Sequence, residues 1–559
     1  MKQHTLLSLL LCASFHAPAH GELQKPKLTV LFIVDQLSYR LMPRIKPYVK
    51  HGLKTFLYDG LRYTNAYFPH GMPATATGHA ALSTGAFARD HGYIGNRWVD
   101  REGNHFYCDT DSAENAAVFN PNGGLYDYGR SAKQLMVDGI SDQFMLYKDS
   151  EEPHVAYSLS IKGRAAIATA SKLGKAVWLD QETGKFTSSK AYFDALPQWL
   201  QVFNQTNNIN NHPFYTWHLA MPYNQAAYRF ADPNTYQYTH SMSPLVQRRF
   251  PVAMKNPGGY KGDVPYAVFL QTPHGDKLLL DLARACVEAN MNEQDNTHML
   301  LWVCLSSFDK LGHDYGPDSK EAYDMLYHLD KHLGEFMTDM QAKFGEQRVL
   351  FGLSADHGVV SIVELINGMG YNSARRFYTP DIIKKMNDLI KKKYGVKKTV
   401  ASFKSPQFYL DHTKIDQLDD DIQKAIMNDL IAFLRKQPEI KHVWTFDELQ
   451  NSCFEPDQPE NFLKEQLYRG RSGEITIQTH PFALVTKWRK GTDHRSPYEF
   501  NLHVPLMFYY PGTIQARTVE QKVWLTQVAN TLAFLLQVSK PSASVAPILP
   551  CMPEQCCAC

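Results

Sequence analysis

The stretch "LTVLFIVDQ", Leu28 to Gln36, decides the fold. Its first part, Leu28 to Val34, is almost continuously apolar and rich in β-branched residues. It lacks the alternation of apolar and polar residues that a strand with one solvated face requires. The pattern therefore predicts a buried strand of a parallel sheet, and Asp35 follows directly where that strand ends.

Further runs of the same kind occur along the chain, separated by helical patterns. They are "HVAYSLS" from His154, "HMLLWVC" from His298, "RVLFGLS" from Arg348 and "HVPLMFYY" from His503. After Pro317, apolar residues recur at helical spacing from Ala322 to Met340, which predicts a crossover helix. The alternation of strands and helices predicts an α/β fold with a mostly parallel sheet and helices on both faces.

The composition fits one large globular core. The chain has 559 residues, 44% of them hydrophobic, and a formal net charge of +2. This balance gives no reason to expect disorder or nucleic-acid binding. Two stretches interrupt the strand–helix alternation, at about 190–272 and about 362–490, and we interpret both as cap segments inserted over the sheet of one catalytic domain, 21–540.

The two ends of the chain differ from this domain. Residues 1–20 have a basic start, a short apolar run and small residues before Gly21, which predicts a cleaved export signal and a periplasmic or secreted protein. A lipoprotein attached through Cys12 is a less favoured alternative. No later run is long and apolar enough to predict a transmembrane anchor. Residues 541–559 form a Cys-rich tail, either a flexible end with local disulfides or a soft-metal or cross-linking segment.

Acidic residues and histidines follow several of the predicted strands. Asp35 follows the first strand, Asp309 and His313 follow the strand from His298, and Asp356 and His357 follow the strand from Arg348. Open α/β sheets bind ligands at the edge formed by the carboxyl ends of their parallel strands. Carboxylate and imidazole groups in this mixture suit zinc or a similar first-row metal, and there are enough ligands for two ions.

Seven motifs in one order give the chain a specific resemblance. They are "FIVDQ", "TATGHAALSTG", "HGYIGNRW", "SIKGR", "SFDKLGHDYGP", "SADHG" and "GTDHRSPYEFNLHVPLMFY". From Leu28 to about Leu535 the chain resembles the alkaline phosphatase superfamily, and within it the phosphate-irrepressible alkaline phosphatases with a threonine nucleophile. More distantly, it resembles the nucleotide pyrophosphatase/phosphodiesterases. The resemblance implies an alkaline-phosphatase-like core and two Zn²⁺ ions.

The resemblance also assigns the metal ligands. It implies that Asp309, His313 and His494 hold one zinc ion. The other ion would be held by Asp35, Asp356, His357 and the oxygen of Thr75.

The turn "MPATATGHAALSTG", Met72 to Gly85, contains two threonines ahead of a helical run. A threonine there could be a helix N-cap or a nucleophile. By the resemblance, Thr75 in Thr-x-x-Gly-His is the nucleophile, and Thr77 carries a structural hydroxyl. A threonine hydroxyl is a poor nucleophile at neutral pH, and coordination to a metal would activate it.

Three further residues bear on the substrate. Asn96 can donate to a phosphoryl oxygen, a feature shared by mono- and diesterases of this superfamily. Lys162 and Arg164 would favour the more highly charged monoester. A sulfatase is disfavoured, since the nucleophile region lacks the Cys/Ser-x-Pro-x-Arg signature.

Two residues depart from the family pattern. Gly163 stands where an acidic residue is usual, and Arg495 follows His494 where a small residue is usual. Neither change removes a catalytic group, so they affect the expected rate and substrate preference rather than the reaction class.

The sequence thus predicts an exported alkaline phosphatase that hydrolyses small-molecule phosphate monoesters through a phosphothreonine intermediate. One alternative is a nucleotide pyrophosphatase/phosphodiesterase on the same metal core. The other is an inactive cell-envelope binding protein. The oligomeric state stays open.

Overall fold

The fold is taken from a computed structural model that describes residues 24–147, 152–207, 209, 214–239, 250–255, 266–292 and 294–553. The predicted export signal lies outside the described residues, as do Cys556, Cys557 and Cys559 of the tail. Within the described part of the chain, no helix is long and apolar enough to cross a membrane.

A nine-stranded sheet forms the centre of the protein. Its strands, in order across the sheet, are Lys185–Thr187, Lys175–Asp180, His154–Ser160, His298–Leu305, Leu28–Val34, Val349–Ser354, Leu506–Tyr509, Leu61–Tyr63 and Arg517–Val519. Shorter pairs lie outside it: Ala66–Tyr67 with Val523–Trp524, Arg97–Val99 with His105–Tyr107, Ala117–Phe119 with Leu125–Gly129, Phe214–Trp217 with Val252–Lys255, and Arg375–Tyr378 with Ala483–Thr486.

The strand Leu28–Val34 lies in the middle of the sheet, with the bounds that its apolar run predicted. It pairs in parallel with His298–Leu305 on one side and Val349–Ser354 on the other. Every one of its residues is buried, which explains why no polar residue alternates along it. The strand Leu506–Tyr509 runs antiparallel to Val349–Ser354, so the sheet is mixed although mostly parallel.

Helices cover the sheet, as the α/β prediction required. The longest, Lys320–Phe344, connects the two strands that flank Leu28–Val34, and the Ser319 side chain caps it by accepting from the backbone N–H of Ala322. The other main helices are Thr75–Thr84, Ile140–Leu146, Gly163–Ala170, Gln198–Thr206, Pro273–Asn290, Ser307–Tyr315 and Gln527–Leu536. The α/β class and the crossover helix are confirmed.

The segment predicted as the second insertion contains a four-stranded sheet of its own. Its strands lie in the order Val400–Lys404, Gln407–Leu410, Ile475–Thr479 and Ile440–Thr445. Helices Thr379–Tyr394 and Asp420–Arg435 pack on it and close a separate apolar cluster that includes Phe408, Leu430 and Ile475. We call this unit the inserted sheet; the limits 362–490 remain a prediction.

The first part of the predicted tail packs against the catalytic domain. Leu549 and Met552 are fully buried in the main core. The cysteines that the structure describes, Cys108, Cys286, Cys304, Cys453 and Cys551, all have free thiols.

Candidate metal and nucleophile site

The ends of three neighbouring strands bring the predicted acidic residues and histidines together. Asp35 follows Leu28–Val34, Asp356 and His357 follow Val349–Ser354, and Asp309 lies in the first turn of the helix after His298–Leu305. All four side chains are buried. His357 Nε2 lies 3.5 Å from Asp35 Oδ1 and 3.4 Å from Asp356 Oδ2.

Among the described residues, the ligand atoms form three groups, each compact enough for one metal ion. The groups are Asp35 with Asp356 and His357, Asp309 with His357 and His494, and His313 with Asp493 and His494. Within each group the ligand atoms lie within 4.8 Å of one another. The structure thus brings together all the carboxylates and histidines that the resemblance assigned to metal binding.

The three histidines are oriented alike. In each of them, Nδ1 lies within hydrogen-bonding distance of a backbone carbonyl. His313 Nδ1 is 3.1 Å from the Thr492 carbonyl, and His494 Nδ1 is 3.0 Å from the Pro73 carbonyl. His357 Nδ1 is 3.1 Å from the Gly358 carbonyl. A backbone carbonyl on Nδ1 fixes the tautomer and leaves Nε2 free as a ligand atom.

Several buried ligand atoms at this site lack hydrogen bonds, which tests whether the residues fit metal ions. Asp35 Oδ1, Asp356 Oδ2 and His357 Nε2 are buried without a hydrogen-bond partner in the described part of the chain. Buried polar atoms are normally satisfied, and these three belong to the same group. A cation would satisfy them together, so the residues fit a metal ion.

The electrostatics of His357 and His494 agree with this fit, whereas, against the effect of burial, Asp309 raises the pKa of His313 to about 9. Burial, with the charges of Asp309 and Asp356 added, raises the pKa of Asp35. Burial lowers the pKa of His357 to about 4 and that of His494 to about 3. Both imidazoles are therefore neutral near pH 7, which is the form that binds metals.

Lys162 contacts two of the carboxylates that the resemblance assigned to metal binding. Its buried ammonium lies 2.6 Å from Asp35 Oδ2 and 2.5 Å from Asp309 Oδ2. It thus connects carboxylates of two of the compact groups. Burial opposes its charge, but Asp309 and Asp35 hold the Lys162 pKa above its ordinary value.

Thr75 begins the helix Thr75–Thr84, and the N-cap is the preceding residue, Ala74. Its hydroxyl makes no hydrogen bond in the part of the chain that the structure describes, so Thr75 is not acting as a cap. The Thr77 hydroxyl instead donates to the carbonyl of Tyr93 at 2.9 Å. Of these two threonines, Thr75 is therefore the one whose hydroxyl is free.

Gly78 and Asn96 hold the helix Thr75–Thr84 close to the predicted metal ligands. A Cβ on Gly78 would lie 2.2 Å from the Asp356 carbonyl oxygen, so only glycine allows this approach. Asn96 Oδ1 accepts from the Ala76 backbone N–H at 2.9 Å. The amide NH₂ of Asn96 remains available for a substrate oxygen.

A cleft of about 370 Å³ opens onto these residues. Thr75, Asn96 and Arg164 line it, together with Asp309, His313 and His494. Arg164 Nε is buried without a hydrogen-bond partner among the described residues, as expected for a group that binds an anion.

The structure explains the two departures from the family pattern. A Cβ on Gly163 would lie 3.2 Å from Arg130 Nη1, and Arg130 is already paired with Asp109 at 2.6 Å. Asp109 thus supplies an acidic group beside position 163. Arg495 Nε lies 2.9 Å from Asp493 Oδ2, and its side chain lines the cleft.

Sequence reasoning missed several residues of the site. Gln36 donates to Asp356 Oδ1 from its backbone at 3.1 Å and to Asp309 Oδ1 from its side chain at 2.8 Å. Asp493 joins His313 and His494 in one group. Both residues are adjacent to a predicted ligand, in "FIVDQ" and "GTDHR", which was the available signal.

Comparisons with known proteins agree with these features. The family model described as type I phosphodiesterase / nucleotide pyrophosphatase matches residues 29–503. Alkaline phosphatase PafA of Elizabethkingia meningoseptica is 29% identical over 558 residues, covering 97% of each chain. A Myroides odoratus protein named calcium-transporting ATPase is 28% identical, again with 97% of each chain covered. The crystal structure of wild-type PafA superposes with a TM-score of 0.81 at 28% identity, covering 95% of this chain and 100% of that one.

Proposed function

We propose that this chain, which belongs to the type I phosphodiesterase / nucleotide pyrophosphatase family, is an exported two-zinc alkaline phosphatase. Family membership makes it a hydrolase of phosphate esters. Within that class, we assign the chain to the hydrolysis of phosphate monoesters. One observation is the main support for this assignment. The free hydroxyl of Thr75 shares a cleft with Asn96, Arg164 and the buried Asp and His groups.

The ions would be held as the resemblance implies, by Asp309, His313 and His494 and by Asp35, Asp356, His357 and the Thr75 oxygen. When bound, zinc would favour the deprotonated form of a coordinated oxygen and stabilise the attacking and leaving oxygens of an in-line displacement. Carboxylate oxygens and imidazole nitrogens, the donors gathered at this site, are suitable ligands for zinc.

The chain's own residues then carry out two displacements. Thr75 Oγ loses its proton to solvent and forms a bond to phosphorus, while the ester bond breaks and the leaving oxygen takes up a proton from solvent and departs as the alcohol. Water next loses a proton and attacks the phosphothreonine, which breaks the Thr75 Oγ–phosphorus bond, releases inorganic phosphate and leaves Thr75 Oγ to be reprotonated. The N-terminus of the helix Thr75–Thr84 lies at the reacting group, and its dipole favours the negative charge there.

Arg164 and Asn96 act on the non-bridging oxygens of the transferred group. The free Nε of Arg164 and the NH₂ of Asn96 are donors at the cleft. A guanidinium favours the monoester because its transferred group carries one more negative charge than that of a diester.

A nucleotide pyrophosphatase/phosphodiesterase is the second candidate, and the position of Lys162 favours it. The ammonium of Lys162 is bonded to Asp35 and Asp309, so of the pair Lys162 and Arg164 it is Arg164 that lines the cleft. One cation of this pair on the transferred group would discriminate less strongly between monoester and diester than two.

One comparison tests the proposal. The zinc-loaded protein is assayed on an aryl phosphate monoester, the matching aryl diester and the aryl sulfate. We expect the highest kcat/KM on the monoester. A higher value on the diester would make the phosphodiesterase the function. Absence of turnover on all three would support the inactive binding protein instead.

Export belongs to the same proposal and rests on residues 1–20. The mature protein should begin near His20 or Gly21 and be found in the periplasm or medium. N-terminal sequencing of the exported protein checks this, and Met1 at its start would contradict it.

A further inference from the structure

The cleft is lined by three basic residues that the hydrolysis of a simple monoester does not use. Arg97, Lys404 and Arg495 line the same cleft as Thr75, with the aromatic side chains of Tyr107 and Phe403 among them. We call Arg97, Lys404 and Arg495 the basic wall. None of the three has a part in the displacement described above.

Each member of the basic wall is held close to the reacting centre by the chain. Arg97 directly follows Asn96, and Arg495 directly follows His494. Lys404 ends the strand Val400–Lys404 of the inserted sheet, which packs against the strand Arg97–Val99. Three separate parts of the chain therefore bring positive charge to the same cleft, and Arg97 and Arg495 lie near enough to Lys404 to affect its pKa.

The positive charge of the wall is only partly compensated. Arg495 pairs with Asp493 at 2.9 Å. Neither Arg97 nor Lys404 has an ion pair with a carboxylate within the described ranges. Burial, Arg97, Arg495 and Lys487 all lower the Lys404 pKa. Gathering like charges costs stability, so an anionic ligand is the natural counterpart of the wall.

The position of the wall decides which anion it meets. Arg164 and Asn96 line the cleft together with Thr75, where the phosphoryl group reacts, and the basic wall lines the same cleft without a role in that reaction. An anion there would be carried by the alcohol that leaves. Tyr107 and Phe403 provide apolar surface for the carbon skeleton between the two anionic groups.

We propose that the basic wall binds a second phosphate group on the leaving alcohol, so that organic bisphosphates are preferred substrates. This inference rests on the proposed phosphatase function and adds the substrate class. A dianionic phosphate matches the three cations better than a carboxylate does. Arginine forks and a lysine ammonium are the usual ligands of phosphate.

The test compares matched aryl substrates. Release of the first phosphate is followed for phenyl phosphate, 4-carboxyphenyl phosphate and 1,4-phenylene bisphosphate, at about 0.15 M salt. After division by two for its equivalent esters, kcat/KM for the bisphosphate should exceed that for phenyl phosphate about 10-fold or more. The carboxylate should give a smaller gain. Equal gains from carboxylate and phosphate would overturn the assignment to phosphate.

Substitutions in the basic wall then test whether its residues cause the preference for the bisphosphate. Lys404→Gln and Arg97→Gln should each lower the ratio of bisphosphate to monophosphate kcat/KM about 10-fold, since each removes one charge-assisted contact. Lys392→Gln is the matched control, because Lys392 is exposed on the helix Thr379–Tyr394, outside the cleft. Its ratio should stay that of the unsubstituted protein. A ratio that is equal in all four proteins would overturn the inference.

A binding measurement separates this inference from the proposed function. The Thr75→Ala variant is titrated with phenylphosphonate and with 1,4-phenylenebisphosphonate, which requires no turnover. The bisphosphonate should bind at least about 10-fold more tightly than phenylphosphonate. Introducing Lys404→Gln into the Thr75→Ala variant should remove most of that difference. Turnover of phenyl phosphate by the unsubstituted protein tests the proposed phosphatase function without the basic wall, because phenyl phosphate has no second phosphate group. Equal binding of the two phosphonates, with normal phenyl phosphate turnover, would reject only the basic wall.

Discussion

The ammonium of Lys162 lies 2.6 Å from Oδ2 of Asp35, and both side chains are buried. The same ammonium also contacts Asp309, so one positive charge separates two carboxylates that otherwise repel each other. Lys162 and Arg164, which are two residues apart in the sequence, therefore have different surroundings: the first is enclosed by carboxylates, and the second lines the cleft.

This difference predicts different effects on stability. In metal-free protein, Lys162→Gln should lower the free energy of unfolding by about 3 kcal/mol, because it leaves buried carboxylates without their cation. Arg164→Gln should change it by less than about 1 kcal/mol, since Arg164 has no ion pair among the described residues to lose. Denaturant unfolding in the presence of a chelator measures both. Equal losses would show that the two cations are not distinguished in this way.

Arg164 should instead affect the choice of substrate. Arg164→Gln should lower kcat/KM for an aryl monoester about 10- to 100-fold, the loss of one charge-assisted hydrogen bond. The diester gains less from this cation and should lose less, so the preference shifts toward the diester. Initial rates on the two substrates with zinc-loaded protein check the shift. A shift in the opposite direction would remove Arg164 from contact with the transferred group.

The two threonines of the turn should differ sharply. Thr75→Ala should abolish turnover and Thr75→Ser should retain part of it, because this hydroxyl, unlike that of Thr77, is free at the cleft. Thr77→Val should keep activity and lose about 1 kcal/mol of stability, the contribution of its hydrogen bond to Tyr93. Mass spectrometry of acid-quenched protein should find phosphate on Thr75. Phosphate on another residue would contradict the nucleophile assignment.

Removal of metal should stop the reaction and weaken the fold. A chelator should abolish hydrolysis, and added zinc should restore activity and raise the melting temperature, since the ligand atoms at the site are otherwise unsatisfied. Elemental analysis should find about two ions per chain. His494→Ala should bind less zinc. The control His503→Gln should bind the normal amount, because His503 stacks between Tyr39 and Tyr67 and bonds to the Thr64 carbonyl.

The preference for bisphosphates should depend on pH. Burial, together with the charges of Arg97, Arg495 and Lys487, lowers the pKa of Lys404 to about 8. Lys404 is therefore charged below that pH and increasingly neutral above it, so the preference should fall as pH rises from about 7 to 9. His105, whose pKa burial lowers from 6.5, is neutral throughout this range. Lys404→Arg should keep the preference constant over the same range. A pH-dependent ratio in that variant would assign the titration to another group.

The centre of the fold was predictable because local pattern and tertiary position agree there. Leu28–Val34 and His154–Ser160 have the bounds of their apolar runs, since strands buried on both faces leave continuous apolar sequence. The antiparallel direction of Leu506–Tyr509 was not predictable, because strand direction is set by pairing with Val349–Ser354 and not by side-chain pattern.

The candidate site was predictable only in part, for a related reason. Asp35 and Asp356 could be placed because each directly follows a strand, and strand ends share one edge of the sheet. Lys404 could not be placed there, since it reaches the cleft from the inserted sheet through contacts far apart in sequence. The contacts of Lys162 with Asp35 and Asp309 were not predicted, because the sequence gives only its spacing to Arg164. That spacing does not determine the direction in which the Lys162 side chain points.

The inserted sheet has a core of its own, yet it contributes Phe403, Lys404 and Ser405 to the cleft. The residues to which we assign the reaction at phosphorus belong to the central sheet and its loops. Changes in the inserted sheet can therefore alter substrate preference without touching the residues to which the reaction is assigned. In evolutionary terms, this arrangement lets relatives diverge in what they consume while keeping a common reaction, and it makes the inserted sheet the natural target for laboratory redesign of specificity.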